Sequence, residues 1–278
     1  MRNAAPGPAP DPAPAPEPDP ARTVLGAPDA PRHAVVLAPV MARWDHGAFF
    51  RQVAAPLIAT GHRVTVHDTL SLLRDGDDLT ALANRWAHRL EQDHDTPDVL
   101  AGNALGGAVV QILLARAWAR RAKILLLSGP TVADDGLNGK LERIAAAVGD
   151  QGLPVALRLL EEVVRGPAQQ ASTVPEPVSH REPAQPPSPD EELAGWRLSS
   201  GLRLLHDLDL TKTVRAFPGR LLHVYGEQSR LVQRHHLATG PSPQHHRLGI
   251  PHAGMRPHAD QPALTRDAVA RFLGEEQT

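Results

Sequence analysis

Apolar segments with the two-residue period of a strand alternate with segments of helical period along the chain. Strands are predicted at His33–Ala38, Arg63–His67, Asp98–Ala101, Ala122–Leu127 and Arg220–Tyr225. Helices are predicted at Phe49–Thr60, Leu79–Gln92, Gly106–Arg120 and Ala263–Leu273. Alternating strands and helices predict a mostly parallel sheet with helices on both faces. From Pro130 to about Leu210 the period is helical, which predicts a helical insertion before the last strands.

Proline-rich segments mark the expected limits of the domains. Residues 1–30 contain the repeat PGPAPDPAPAPEPDP, which predicts a disordered leader of polyproline II character. A second such run, from Val174 to Pro189, predicts a surface loop. A chain of 278 residues is long enough for one catalytic domain. We therefore expect an α/β core at residues 31–130 and 206–278, with a helical cap at residues 131–205 that includes the proline-rich loop.

The composition argues against several kinds of partner. A net charge of −2 leaves no positive excess to bind a phosphate backbone, and no stretch is apolar enough to cross a bilayer. We therefore expect neither nucleic acid nor a membrane as a partner. The absence of cysteine excludes disulfides, thiolate metal sites and a Cys nucleophile. We expect a cytoplasmic protein with no metal and no cofactor, and the arginine-rich, lysine-poor composition is typical of actinobacteria. The composition does not indicate an oligomeric state.

A glycine-flanked turn between a predicted strand and helix carries the most specific motif. The segment Asp98–Gly107 reads DVLAGNALGG and resembles the nucleophile elbow G-x-S-x-G of the α/β hydrolases. Gly102 and Gly106 stand where the elbow needs residues without a side chain. The apex, however, is Ala104, whose methyl group cannot act as a nucleophile.

Three further segments resemble the same family, and each departs from it at the catalytic position. Leu222–Val232 is similar to the strand-G-x-x-D-x-x-V segment of the family, with Ser229 at the acid position. Ile250–Pro262 is similar to the A-G-H-x-P-H segment, with Met255 at the position of the catalytic histidine. After the first core strand, Pro39 and Val40 replace the H-G pair that opens the oxyanion hole.

The resemblance implies an α/β-hydrolase fold in a branch that lacks the Ser-His-Asp triad. It is similar in kind to triad-lacking members of natural-product pathways, among them the bottromycin peptide epimerase. Natural divergence explains the changes at all three triad positions together, although an engineered Ser-to-Ala variant is an alternative. The helix that follows the elbow would still present free amides to a developing oxyanion. We therefore expect a non-hydrolytic reaction next to a carbonyl group, such as epimerisation, isomerisation, cyclisation or elimination.

The candidate site residues follow from these segments. We expect His258 or His46 to be the catalytic base, with a carboxylate of the substrate itself as an alternative. The substrate-binding candidates are Val40, Met41, Trp44, Asn103, Ala104, Leu105, Ser229 and Met255. Their apolar character predicts a small-molecule or peptide substrate with an apolar portion.

Two alternatives to this function stay open. The chain is a catalytically inactive binding protein if its pocket serves only to hold a ligand or a partner. It is a hydrolase if a triad has been rebuilt from His258 or His252 with a serine such as Ser128 or Ser229.

Other polar residues have a structural interpretation that we prefer. Asp45, in the segment Trp44-Asp45-His46, is expected to cap the following helix. Asp134 and Asp135 lie where some family members carry an alternative acid, but we favour a helix N-cap here too. The pairs His235-His236 and His245-His246 suggest a metal site, yet we expect solvated surface because neighbours in sequence point in different directions.

Overall fold

The sheet has seven strands in the order β1-β3-β2-β4-β5-β6-β7. The structure is a computed structural model that describes residues 19–92, 96–165 and 187–274. The strands are β1 Arg22–Leu25, β2 Arg32–Leu37, β3 His62–His67, β4 Val99–Asn103, β5 Lys123–Leu127, β6 Leu221–Gly226 and β7 His245–Ile250. Strand β1 pairs antiparallel with β3, and every other pair is parallel. The mostly parallel sheet predicted from the sequence is confirmed.

Helices cover both faces of the sheet. They are α1 Arg51–Ala59, α2 Leu79–Gln92, α3 Leu105–Leu113, α4 Asp135–Gln151, α5 Leu153–Val164, α6 Pro189–Arg203, α7 Thr211–Ala216, α8 Pro257–Asp260 and α9 Pro262–Gly274. Side chains along β2 alternate between two hydrophobic clusters: Val35 belongs to the cluster of α2 and α3, and Val36 to the cluster of α1 and α9. This alternation is the two-sided burial that a central parallel strand requires.

The described part of the supposed leader includes a strand, which corrects the sequence analysis. Arg22–Leu25 forms β1 and pairs with Val64–His67 of β3. The prediction of a leader without structure up to residue 30 was therefore wrong for these residues. The side chains of RTVL alternate between exposed and half-buried positions, as in an edge strand, but the sequence shows no polar and apolar alternation that would have predicted it. Residues 1–18 lie outside the described residues.

Four described helices, α4 to α7, lie between β5 and β6, where the helical insertion was predicted. Most of the proline-rich run at 174–189 lies outside the described residues, but its end is visible. Ser188 caps α6 in a reciprocal capping box with Glu191. The division of the chain into a core and a cap at residues 131–205 stays a prediction. Within the described residues, no helix is both long and apolar enough to span a bilayer.

Candidate functional site

The turn between β4 and α3 has the geometry of a nucleophile elbow. Ala104 lies at its apex with φ 48° and ψ −111°, a conformation that residues with a side chain rarely adopt. A Cβ atom on Gly102 would collide with the Gly106 backbone, and one on Gly106 would collide with the Leu37 carbonyl. The strained turn is therefore present although its apex carries only a methyl group.

A cavity of about 260 Å³ opens beside Ala104 at the carboxyl ends of the central strands. Its lining residues are Pro39, Val40, Met41, Asp45, Phe49, Asn103, Ala104, Pro130, Leu137, Leu141, Leu160, Glu161, Val164, Leu202, Leu205, Leu231, Val232, Met255, Arg256 and His258. Helices α4, α5 and α6 form one side, and the sheet edge with the segment before α8 forms the other. Most of these side chains are apolar, so a ligand held there needs a substantial apolar portion.

Six of the ten residues predicted for the site line the cavity. These are Val40, Met41, Asn103, Ala104, Met255 and His258. Leu105 is fully buried in the core on the other side of the turn. Trp44 lines a separate surface depression beside Ala42 and Arg197.

The structure does not bring His46 or Ser229 to the cavity lining. His46 is exposed and has a positive φ of 55°, next to a left-handed Gly47. This tight turn directs the chain so that Asp45, rather than His46, reaches the cavity. Ser229 is buried behind Met255.

The positions aligned with the acid and the base of a triad do lie together. The Oγ atom of Ser229 lies 3.7 Å from the Sδ atom of Met255, and the Leu231 amide donates to the same Oγ. A hydroxyl and a thioether cannot pass a proton to and from a nucleophile at neutral pH. Ser229 and Met255 are therefore in contact, and neither side chain can act as a catalytic acid or base.

His258 is a buried, neutral imidazole in the wall of the cavity. It is 2% exposed, and its ring packs edge-on against Phe49 at 6.5 Å between centroids. Burial, with a smaller contribution from the nearby Arg256 charge, lowers the pKa of His258 to about 4. Its Nδ1 has no hydrogen-bond partner in the described part of the chain. At neutral pH the ring is uncharged, and its unprotonated nitrogen is a weak general base.

Asp45 lines the cavity and also accepts a hydrogen bond from the backbone. One carboxylate oxygen, Oδ2, accepts a hydrogen bond of 2.9 Å from the Phe49 amide in the short 3-10 helix Ala48–Phe50, but the N-cap position of that helix is Gly47, so the predicted cap at Asp45 was wrong. The other oxygen, Oδ1, is buried with no partner among the described residues. Because Asp45 lines the cavity, a ligand donor that reaches Oδ1 would satisfy this oxygen.

The cavity wall contains a charged pair that was not predicted from the sequence. Arg256 donates from Nη2 to both carboxylate oxygens of Glu161, at 2.8 and 2.7 Å. Arg165 donates to Glu161 as well, from Nε at 3.1 Å. Nothing local marked this pair, because Glu161 lies on α5 and Arg256 lies 95 residues further along the chain.

The segment after β2 is held in place by polar contacts from two directions. The Thr69 hydroxyl donates to the Ala38 carbonyl at 2.7 Å. Arg197 of α6 donates to the Met41 carbonyl at 3.3 Å and forms a bidentate pair with the buried Asp68 at 2.8 Å. The lining residues Val40 and Met41 therefore have a fixed backbone.

The beginning of α3 supplies amide donors beside Ala104. The first backbone bond of this helix runs from the Ala108 amide to the Ala104 carbonyl at 3.0 Å. The amides of Leu105, Gly106 and Gly107 therefore have no acceptor inside the helix, as in the first turn of any α-helix. Together with the helix dipole they favour negative charge at the cavity floor.

In each of the pairs His235-His236 and His245-His246, one histidine is buried, which contradicts the expectation that both pairs lie on the solvated surface. His236 is 3% exposed and His245 is 9% exposed. His235 and His236 each place Nε2 close to the Asp134 carboxylate, at 3.0 and 3.2 Å, so that three potential metal ligands lie together. The first pair lies in the loop after β6 and the second pair begins β7. Both histidines are buried because of these positions, which the sequence pattern did not predict.

The hydrogen bonding of His236 argues against a metal ion at this cluster. The Nδ1 atom of His236 accepts a hydrogen bond of 2.9 Å from the Gln233 amide. A neutral ring with an accepting Nδ1 carries its proton on Nε2, the nitrogen that a metal would need. Asp134 also caps α4 by accepting from the Leu137 amide at 2.8 Å, which confirms the N-cap interpretation.

The serines considered for a rebuilt triad are not at the cavity surface. Ser128 is fully buried with a positive φ of 49°, and its Oγ has no partner among the residues described. Neither Ser128 nor Ser229 lines the cavity. His252 lies in an exposed turn with a positive φ of 59°. A triad built from these residues would need a rearrangement of the loops after β5 and β7.

The parallel sheet, the strained elbow and the cavity at the carboxyl ends of the strands define an α/β-hydrolase fold. Solved structures share it over nearly the whole chain. A hydrolase from Pseudomonas aeruginosa has a TM-score of 0.71 at 18% identity, covering 91% of this chain and 94% of that chain. A thermophilic esterase from Thermogutta terrifontis has a TM-score of 0.64 at 17% identity, covering 91% and 92%. A bromoperoxidase from Bacillus anthracis has a TM-score of 0.68 at 15% identity, covering 91% and 95%.

The sequence itself matches no protein-family model and no curated protein. At such low identities the similarity to solved structures establishes the fold alone. The activity must be argued from the residues of the cavity.

Proposed function

We propose that this chain is a non-hydrolytic enzyme that acts next to a carbonyl group of a small molecule or peptide with an apolar portion. The reaction class is epimerisation or isomerisation, with cyclisation and elimination as related outcomes of the same chemistry. The observation that carries the proposal is the buried, neutral His258 in the wall of a cavity whose floor is Ala104. We assign the reaction to a cytoplasmic pathway of bacterial natural-product biosynthesis on the resemblance of the sequence alone.

The catalytic base in this proposal is His258. A ring nitrogen of His258 removes the proton from the carbon next to the substrate carbonyl, and the electron pair moves onto the carbonyl oxygen. A water molecule then donates a proton to the same carbon from the opposite face, and His258 passes its proton to the hydroxide that is left, which completes an epimerisation. A base with a pKa of about 4 is weaker than an ordinary imidazole, at a cost of roughly 3 kcal/mol in proton affinity. The substrate carbon must therefore be unusually acidic, as it is in a thioester or a dicarbonyl.

The enolate oxygen needs donors, and the retained elbow offers them. The unpaired amides at the beginning of α3 lie behind Ala104, and the Val40–Met41 segment is fixed by Arg197. Preorganised donors of this kind stabilise a developing oxyanion without reorganisation. Asn103, Met255 and Val40 would contact the rest of the substrate, because they line the same space.

Exchange of a carbon-bound proton with solvent tests this proposal. The probe is the N-acetylcysteamine thioester of 2-phenylpropionate in D2O at neutral pD, followed by proton NMR. We expect loss of the α-proton signal faster than with heat-denatured protein. The variant His258→Gln should slow exchange by about a hundredfold or more, since a general base contributes that much. The matched control His246→Gln changes an exposed histidine of β7 and should leave the rate unchanged.

Two results would count against an enzyme of this kind. Exchange that persists in His258→Gln would remove His258 from the mechanism. Protection of the protein against thermal unfolding by the thioester, with no exchange at all, would favour the alternative of a binding protein. The variant Ala104→Phe should abolish both exchange and binding, because the larger side chain fills the cavity floor.

A further inference from the structure

Arg256 lies in the cavity wall and has no role in the proposed proton transfer. It lies between Met255 and His258 in sequence and lines the cavity with both of them. Its side chain is 39% exposed, so the guanidinium is accessible from the cavity mouth. Among mostly apolar lining side chains, an accessible guanidinium is the natural point of contact for an anionic group.

The hydrogen bonds of Arg256 use only one nitrogen of its guanidinium. The single nitrogen Nη2 donates to both carboxylate oxygens of Glu161, at 2.8 and 2.7 Å. In the described part of the chain, the Nε and Nη1 atoms of Arg256 make no hydrogen bond. A guanidinium has five N–H donors, and the three on Nε and Nη1 of Arg256 stay available to single acceptor oxygens of a ligand. Arg256 is therefore held through Nη2, and its Nη1 and Nε atoms can each donate to a ligand oxygen.

Glu161 acts as the holder of Arg256 rather than as a competing acid. Burial opposes ionisation of Glu161, but the hydrogen bond from Arg165 and the charge of Arg256 outweigh it, so that its pKa lies below the usual value. Two arginines thus share one carboxylate. Glu161 remains ionised at neutral pH and keeps the guanidinium directed along the cavity wall.

The other nearby carboxylates are engaged elsewhere. Asp260 accepts from the Gly254 amide at 2.7 Å, and burial raises its pKa. Asp45 accepts from the Phe49 amide and lines the cavity without an arginine partner. A ligand anion would therefore bind at the α5 side of the cavity and keep away from Asp45.

We propose that Arg256 anchors a carboxylate of the substrate, so that the substrate class is an apolar acyl compound bearing a free carboxylate. This inference rests on the proposed function only for the claim that the bound ligand is a substrate. Binding itself does not depend on the proposed function, because the available Nη1 and Nε donors of Arg256 can bind a carboxylate oxygen whether or not a reaction follows. The guanidinium would fix the orientation of the ligand, and the apolar walls would enclose its remainder.

A matched pair of ligands tests the anchor by isothermal titration calorimetry at pH 7.5. The probes are 4-phenylbutyrate and its neutral amide, 4-phenylbutyramide, which have nearly the same size and shape. We expect the carboxylate to bind at least tenfold more tightly, as a hydrogen bond to a charged group allows. The variant Arg256→Gln should reduce this preference to less than threefold. Arg165→Gln removes the other arginine of Glu161, which does not line the cavity, and should preserve the preference.

Further variants locate the binding and separate the two proposals. Ala104→Phe should abolish binding of both probes. Arg256→Lys keeps the positive charge but loses the guanidinium group, so an intermediate preference for the carboxylate is expected. This variant replaces Arg256→Gln if Arg256→Gln fails to fold. Equal affinities for the two probes, a preference that survives Arg256→Gln, or no binding at millimolar concentration would each overturn the anchor. Carboxylate preference without α-proton exchange would leave the anchor standing and reject the proposed enzyme instead.

Discussion

At the scale of single residues, Ala104 shows that the backbone conformation of the elbow does not depend on a nucleophile at its apex. A non-glycine residue in such a conformation costs of order 1–3 kcal/mol, and the surrounding packing enforces it. Gly102 and Gly106 permit the close approach of the backbone that the turn requires. The turn therefore persists without a nucleophile, because its conformation depends on the glycines and the core rather than on the apex side chain.

Restoring the nucleophile alone should not restore hydrolysis. We expect wild type to hydrolyse p-nitrophenyl butyrate no faster than denatured protein. Ala104→Ser should add little, since its hydroxyl would face Met255 instead of a histidine. The triple variant Ala104→Ser, Met255→His, Ser229→Asp should be at least a hundredfold faster than Ala104→Ser, because Ser229 and Met255 are already in contact.

The control for this series is Ser128→Ala, which changes a buried serine away from the cavity. Rates are followed by absorbance of p-nitrophenolate. Hydrolysis by the wild type that a serine-directed phosphonate removes would contradict the hypothesis that the chain lacks a Ser-His-Asp triad.

At the scale of elements, the edge strand β1 shows how tertiary pairing gives structure to a segment between prolines. Arg22–Leu25 pairs with β3 over four residues, and Leu25 packs against the cluster of α1 and α9. Gly26 then leaves the strand with a positive φ of 85°. The strand covers the edge of β3, whose Val64 and Val66 are fully buried.

Removal of β1 should destabilise the fold measurably. A chain that begins at Asp29 should unfold at lower urea concentration than a chain that begins at Asp19. The expected difference is about 2 kcal/mol, from the lost ladder bonds and the apolar area of Leu25. The shorter chain should also aggregate more readily, because the edge of β3 becomes exposed. Equal midpoints and equal solubility would show that β1 contributes nothing.

How far the sequence predicted the molecule depends on the range of the interactions. Periodicity and the elbow motif predicted five strands and the position of Ala104, because both are local signals. Strand β7, HHRLGI, was missed because histidine and arginine interrupt its apolar alternation. The Glu161–Arg256 pair was missed because only the tertiary fold joins α5 to the segment before α8. Such pairings leave no trace in local sequence.

At the scale of the whole molecule, buried histidines lie on strands near both edges of the sheet, in the loop after β6 and in the cavity wall. Burial lowers the pKa of His67 and of His223 to about 3, and that of His258 to about 4. His62, His236 and His245 have lowered pKa values for the same principal reason. The fold therefore stabilises uncharged imidazole at several separate places.

These histidines should make the protein sensitive to mild acid. Their pKa is near 6.5 in the unfolded chain and lower in the fold, so the unfolded state binds more protons as the pH falls below 6.5. The stability is complete above pH 6.5 and is lost as the pH falls towards 4. Asp134, whose pKa is lowered by the Leu137 amide and by His236, adds to the loss only below its unfolded value, whereas Asp260, with a raised pKa, opposes it.

Urea unfolding at pH 7.5 and at pH 5.5 measures this acid sensitivity. We expect the free energy of unfolding to be lower by about 3 kcal/mol at pH 5.5, with about 1 kcal/mol from each of His67, His223 and His258. His67→Leu should reduce the pH dependence by about a third, because it removes one of these groups while retaining an apolar contact with Trp86. His246→Gln, at an exposed position, should leave the pH dependence as it is. An equal free energy of unfolding at both pH values would contradict this prediction. It would mean that the buried imidazoles are protonated as readily in the folded protein as in the unfolded chain.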